Sequence, residues 1–370
     1  MSARFLTVVL ERAFNMRDGF GREIDYMRIS VIDSCNLNCY YCNPQDNNKN
    51  CQAINILSVK EVLCIVRAAT RLGITHFRLT GGEPLLHPQI DEMVSQIKKI
   101  PGVRSVSLTT NAVLLAQHAK QLKEAGIDSI NVSLDTIDAS EYEHITKKPL
   151  LDKVEQGIDA AIECGIRVKI NVVLTPQTDV VALTRYVAKK GTDIRFIEMM
   201  PVGEGHTNGV EPYKKVIGTL SKLYGEPCRI NTEKTKEINS GNDKRKIPDN
   251  GPAEYYIFPE LGIRVGLIQA IHGKFCDTCN RIRVTADGRL MPCLGSSVTM
   301  DLVPDSCEFT DDLEKDFVIV QALKAAIKAK PRCHNFNDNA VTYTKTTETK
   351  TTEIEAAEVN AARNMSRIGG

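Results

Sequence analysis

Between residues 27 and 223, short β-rich apolar runs alternate with longer segments in which apolar positions recur at helical spacing. The runs at 27–32, 76–80, 105–109, 129–134, 167–174 and 193–198 predict six strands. The stretches at 59–72, 89–100, 114–125, 151–163 and 180–190 predict the helices between them, with another at 213–223 after the sixth strand. Gly73, Gly126, Gly165 and Gly191 stand just past four of these helices, where a left-handed cap closes the last turn. Six βα units in series dictate a parallel sheet with right-handed crossovers. They are too few for a closed eight-stranded barrel. The expected class is therefore α/β, a partial TIM-like (β/α)6 barrel, open and curved, with its chemistry at the C-terminal ends of the strands.

The polar and special residues fall where that rule wants them. Cys35, Cys39 and Cys42 follow the first strand, and Gly81-Gly82-Glu83-Pro84 follows the second. Thr109-Thr110-Asn111 ends the third, Ser133 and Asp135 end the fourth, Lys169 and Asn171 lie on the fifth, and Met199-Met200 closes the sixth. All converge on one rim.

After residue 224 the character changes. Residues 231–252 are polar and punctuated by Gly and Pro, an exposed connection; 255–258 and 263–269 predict strands. Segments 281–285 and 290–293 flank Ala286-Asp287-Gly288-Arg289, a hairpin turn, and 317–330 predicts an amphipathic helix. The Thr/Lys/Glu-rich stretch 342–355 is too polar to build a core and is expected to be mobile. The expected organisation is an N-terminal extension (1–23), the partial barrel (24–224), a smaller α+β domain (225–334) and a flexible tail (335–370) ending in Gly369-Gly370.

Composition narrows the function classes. Lys plus Arg at 47 against Asp plus Glu at 46 leaves a formal charge of +1, so no global field attracts nucleic acid or an anionic membrane. No apolar run approaches the roughly 20 residues needed to span a bilayer, and residues 5–10 are a poor secretory signal, being followed at once by Glu11 and Arg12. A cytoplasmic protein is expected. Twelve cysteines then point to metal or catalysis rather than to disulfides. Cys51, Cys64, Cys164, Cys228, Cys307 and Cys333 are scattered, whereas the other six form two groups.

Cys35-x3-Cys39-x2-Cys42 offers three thiolates on a tight loop. Three thiolates on a [4Fe–4S] cluster leave one iron without a protein ligand, open to a substrate. A structural zinc site is the competing reading, but it needs a fourth Cys or His that the loop does not supply. This loop, with Tyr41 inside it and Gly81-Gly82-Glu83-Pro84 one βα unit later, resembles the radical S-adenosylmethionine (SAM) superfamily. The resemblance implies that the open iron chelates the amino and carboxylate groups of SAM, and that an electron delivered to the sulfonium yields a 5′-deoxyadenosyl radical.

The second group, Cys276, Cys279 and Cys293, brackets Arg281 and Arg283. On a strand these two guanidinium groups share one face, and two cations beside an open iron suit an anionic ligand that also has a donor atom for the metal. A zinc ribbon using Cys307 is the competing reading. Taken with Gly19-Phe20-Gly21-Arg22, Arg28-Ile29-Ser30 and the Gly369-Gly370 end, the chain resembles the GTP 3′,8-cyclase family of molybdenum cofactor biosynthesis over nearly its whole length.

The family resemblance implies two [4Fe–4S] clusters, on Cys35/Cys39/Cys42 and Cys276/Cys279/Cys293, with SAM as the further cofactor. It implies SAM contacts at Tyr41, Gly82, Ser133 and Met200, and a GTP site at Arg28, Arg78, Thr109, Lys169, Arg195, Arg281 and Arg283. Arg281, Arg283, Gly369 and Gly370 would serve catalysis. The radical takes the 3′ hydrogen of GTP and the ribose radical attacks C8 of guanine, giving a cyclic dihydro-GTP for cyclic pyranopterin monophosphate synthase. An electron donor such as flavodoxin or ferredoxin is implied, and a homodimer is compatible. His76 and His87 stand where the family often has Lys and Arg, and Ser34 where it often has Arg, so a weaker positive field for phosphate is expected. The alternatives are a related radical enzyme acting on a peptide or another small molecule, and a zinc-stabilised binding protein.

Overall fold

The structure, a computed structural model, describes residues 16–42, 54–201, 210–230, 251–296, 298–302, 312–334 and 336. The predicted tail, Gly369 and Gly370, Cys51 and Cys307, most of the N-terminal extension and most of the 231–252 connection lie outside the described residues.

In chain order the barrel comprises β1 (Tyr26–Ser30), α1 (Val59–Arg71), β2 (His76–Thr80), α2 (Ile90–Lys98), β3 (Ser105–Thr110), α3 (Leu115–Glu124), β4 (Ser129–Ser133), α4 (Ala139–Thr146), α5 (Leu151–Glu163), β5 (Val168–Leu174), α6 (Val180–Lys189) and β6 (Asp193–Glu198). Then come α7 (Gly218–Tyr224), β7 (Cys228–Ile230), β8 (Glu254–Ile257), β9 (Arg264–Ile268), β10 (Arg281–Val284), β11 (Arg289–Met291), β12 (Met300–Asp301) and α8 (Asp312–Lys328). All six expected βα strands are present. Local chemistry explains the helix starts: at α1 the Ser58 hydroxyl accepts from Glu61 N while the Glu61 carboxylate accepts from Ser58 N. Gly73, Gly126, Gly165 and Gly191 all have positive φ after their helices.

Several elements depart from the sequence reading: β7 and β12 were not expected, and α8 begins at Asp312 rather than at 317. The segment expected to be one helix over 213–223 opens as a π turn at Tyr213–Ile217 before α7. Helix α4 was not anticipated, because eight residues of mixed polarity give a faint apolar stripe; Asp138 caps it by accepting from Glu141 N.

The sheet order is β12-β11-β10-β1-β2-β3-β4-β5-β6-β9-β8-β7. Late strands flank the early ones on both sides: β10 runs parallel to β1 and β9 parallel to β6, each continued outward by antiparallel strands. The C-terminal segment thus extends the barrel sheet itself.

Strand periodicity decides what fills the interior. Met27, Ile29, Phe77, Leu79, Val106, Leu108, Ile130 and Val132 are buried in the apolar core. The residues between them, Arg28, Arg78, Ser107, Thr109, Asn131 and Ser133, line a cavity on the other face. An ordinary barrel packs this face with branched apolar side chains. Here it is polar and hollow.

Candidate active site

The cavity has a volume of about 850 Å³ and is lined by all six clustered cysteines: Cys35, Cys39, Cys42, Cys276, Cys279 and Cys293. It is also lined by Tyr41, Gly82, Ser133, Met200, Arg28, Arg78, Thr109, Lys169, Arg195, Arg281 and Arg283. Every site residue named from sequence that falls among the described residues therefore faces one space. The two thiol triplets lie toward opposite ends of it: one follows the C-terminal end of β1, while Cys276 and Cys279 precede β10 and Cys293 follows β11, which runs antiparallel to β10. β1 has five residues, so at about 3.3 Å per residue its ends are roughly 17 Å apart.

The first thiol loop is held by backbone. Asn38 N and Tyr40 N donate to Thr146 O and Ile145 O, satisfying carbonyls that the end of α4 would otherwise leave orphaned. The Gly81-Gly82 turn lies directly against the chain entering this loop. Gly82 N donates to Ile32 O at 2.7 Å and Glu83 N to Ser34 O at 2.8 Å. A Cβ at residue 82 would meet Ser34 O at 2.1 Å, which is why glycine stands there. Ser34 itself is used through its backbone.

Around these thiols the polar groups are acidic or neutral. Glu83 is buried, accepts from Thr110 Oγ1, Asn111 N and Leu85 N, and burial pushes its carboxyl up to about 7. Tyr41 donates its hydroxyl to Asp135 Oδ2 at 2.5 Å, while Asp135 Oδ1 accepts from Val173 N; burial pushes Asp135 up to about 6. Burial likewise pushes Cys35 up to about 11 and raises Cys39, which is also repelled by Asp135, Cys42 and Cys35.

The second thiol loop sits among cations. Arg22 donates through Nη1 to Cys276 O (2.7 Å) and Arg332 O (2.8 Å), and through Nη2 to Pro331 O (2.6 Å). Its Nε is 2.5 Å from Asp18 Oδ2. The Arg281 guanidinium lies 4.8 Å from the Phe275 ring centroid. Burial raises Cys279, but Arg281 and Lys330 outweigh it and bring the thiol down to about 7.

Between the two loops runs a row of arginines fixed by strand register, Arg283 opposite Arg28 and Arg28 opposite Arg78. Adjacent strands are about 4.8 Å apart, so these cations crowd one another. Arg28 is driven well below its ordinary value by burial and then by Arg283, with Arg78 and Arg281 adding to it; Arg283 falls to about 10 by burial and Arg281. Such a row calls for a polyanion. Arg78 Nε also donates to the Tyr26 hydroxyl.

His76 lines the cavity, with its Nδ1 2.7 Å from Ser105 Oγ. His87 is buried, its Nε2 2.9 Å from Leu57 O and its Nδ1 accepting from Gln89 N, and it is absent from the cavity wall. It adds no charge to the cavity wall, in line with the weaker field expected. Sequence reasoning missed Tyr26, Asn131 and Lys330 as wall residues. A signal for the first two was present: polar or amphipathic residues alternating with apolar ones in strands that should be apolar on both faces.

The donor set fits iron–sulfur clusters. Each loop presents three thiols, and within each triplet they repel one another. Among the described residues no group of His, Cys, Asp or Glu is placed to hold a metal ion. A four-iron cube takes each of three thiolates on a separate iron.

Residues 29–182 match the model of the Radical SAM superfamily, and residues 192–336 match Molybdenum Cofactor Synthesis C. In fold, the chain is similar to Streptococcus suis SuiB. It matches the form bound to S-adenosylmethionine with a TM-score of 0.51 and 18% identity, over 81% of this chain and 65% of that one. It matches the form bound to the precursor peptide SuiA with a TM-score of 0.53 and 15% identity, over 86% of this chain and 67% of that one. This is a radical SAM enzyme, and enzymes of that class use SAM with an iron–sulfur cluster.

Among curated relatives, the GTP 3′,8-cyclase of Clostridium perfringens is 36% identical over 87% of this chain and 95% of its own length. That of Peptoclostridium acidaminophilum is 38% identical over 87% and 94%. The chain belongs to the GTP 3′,8-cyclase family. No helix among the described residues is long and apolar enough to cross a membrane.

Proposed function

We propose that this chain is a cytoplasmic radical SAM cyclase that converts GTP to (8S)-3′,8-cyclo-7,8-dihydroguanosine 5′-triphosphate, the first step of molybdenum cofactor biosynthesis. The observation that carries this reading is that both thiol triplets and the arginine row face one cavity. In this reading Cys35, Cys39 and Cys42 hold one [4Fe–4S] cluster and Cys276, Cys279 and Cys293 a second. With its cluster, SAM supplies a 5′-deoxyadenosyl radical able to take the 3′ hydrogen of the nucleotide.

The remaining roles belong to side chains. Tyr41, Gly82, Ser133 and Met200 surround SAM, with Asp135 fixing the Tyr41 ring through its hydroxyl. Arg28, Arg78, Thr109, Lys169 and Arg195 bind the triphosphate, whose roughly four negative charges a near-neutral protein has to meet with local cations. Arg281 and Arg283 orient the nucleotide against the second loop. Gly369 and Gly370, outside the described residues, are assigned to catalysis by the family pattern. The product passes to cyclic pyranopterin monophosphate synthase, a flavodoxin or ferredoxin supplies the electrons, and the chain works alone or as a homodimer.

The test is an anaerobic incubation of reduced protein with SAM and GTP. The expected outcome is GTP-dependent 5′-deoxyadenosine together with the cyclised nucleotide. Formation of 5′-deoxyadenosine indifferent to GTP, with no cyclised product, contradicts the reading.

A further inference from the structure

Lys330 lies just beyond α8, lines the cavity and is only 4% exposed. Its Nζ donates to Arg281 O and to Pro292 O, both at 2.8 Å. Arg281 is two residues past Cys279, and Pro292 immediately precedes Cys293. One ammonium therefore ties together the two chain segments that carry two of the three thiols. Both acceptors are neutral carbonyls, and among the described residues no carboxylate pairs with Lys330.

The neighbouring buried cation behaves differently. Arg22 also grips backbone beside the second triplet, but its charge is matched by Asp18, whose side chain is wholly buried against it. Removing an ammonium from water without an anion costs several kcal/mol. The sequence keeps one here nonetheless. The anion it answers has to be supplied inside the cavity, and the triplet thiols are the anionic groups adjoining its two anchor points.

We propose that Lys330 is the counter-charge of the second thiol triplet, positioning Cys279 and Cys293 and raising the reduction potential of the iron–sulfur cluster they hold. The physical ground is direct: reduction adds one negative charge to the cluster, and a fixed cation in a poorly screened interior favours that state. This rests on the reading that the second triplet carries a cluster.

The experiment compares wild type, Lys330→Gln and Lys330→Arg, each reconstituted anaerobically, by metal analysis and a potentiometric titration followed by electron paramagnetic resonance. The two cluster signals are assigned by their loss in Cys39→Ala and Cys279→Ala proteins. Glutamine can still donate to both carbonyls but brings no charge, whereas arginine keeps it. At a fixed solution potential, Lys330→Gln should lower the reduced-to-oxidised ratio of the second cluster about tenfold, equal to about 59 mV for a one-electron couple. The first cluster should not change, and Lys330→Arg should stay within about twofold of wild type. Loss of the second cluster in Lys330→Gln with retention in Lys330→Arg also supports the proposal. An unchanged ratio in Lys330→Gln, or loss of the cluster in both variants, overturns it. Wild-type protein with about four rather than eight irons per chain sinks the two-cluster reading itself, separately from Lys330.

Discussion

The two thiol triplets share a cavity and a ligand count but have opposite surroundings. Near Cys35, Cys39 and Cys42 stand buried Glu83 and Asp135, and Cys35 and Cys39 are pushed upward, first by burial and then by these carboxyls. Near Cys276, Cys279 and Cys293 stand Arg281 and Lys330; burial raises Cys276 here too, but the two cations bring Cys279 down to about 7. Carboxyl-bearing walls suit a ligand carrying positive charge, as the sulfonium and ammonium of SAM do; cationic walls suit a nucleotide phosphate. On the proposed reading, the same three-cysteine device is set to two tasks by its neighbours.

The sharpest way to separate the triplets is to remove one thiol from each. Cys39→Ala should abolish SAM cleavage, and Cys279→Ala should retain cleavage while losing cyclised product. Each should bring iron from about eight to about four per chain. Product analysis and metal counting read both outcomes. Identical phenotypes would erase the proposed division of labour.

A smaller but still large effect is expected from the arginine row. Arg283→Ala removes one of a set of crowded cations at the shared cavity and should reduce kcat/KM for GTP about 100-fold with both clusters assembled. Steady-state kinetics beside an iron count decides it, and near-normal turnover would detach Arg283 from the substrate.

The mildest test concerns the acidic wall. Because burial raises the Glu83 carboxyl from 4.5 to about 7, the folded chain holds this proton more tightly than the unfolded one. Between about pH 4.5 and 7 the unfolded state releases the proton first, so wild type should lose stability relative to Glu83→Gln as pH rises, by about 3 kcal/mol at most. Denaturant unfolding at pH 5 and pH 8 measures the difference, which should be smaller on the acid side.

Much of the site was legible because its chemistry is sequential. Cys35, Cys39, Cys42 and the Gly81-Gly82 turn announce themselves by spacing, and the βα repeat places them on one rim. Other features depend on pairing that no local pattern reveals. That β10 lies against β1, bringing Arg283 beside Arg28, follows from register between strands about 255 residues apart. Helix α4 stayed hidden because its task is to offer carbonyls to the thiol loop rather than to present an apolar stripe. Lys330 read as the end of an amphipathic helix, since a buried ammonium looks like any exposed lysine until its acceptors are known. His87, expected to weaken the positive field by standing where Arg is frequent, instead braces backbone away from the cavity.

The β10–β1 pairing also has a consequence for biosynthesis. In a nascent chain emerging from the ribosome, the β6 margin of the early sheet waits for β9 at 264–268 and the β1 margin for β10 at 281–284. For most of translation the cysteines after β1 therefore border a sheet that still lacks its outer strands.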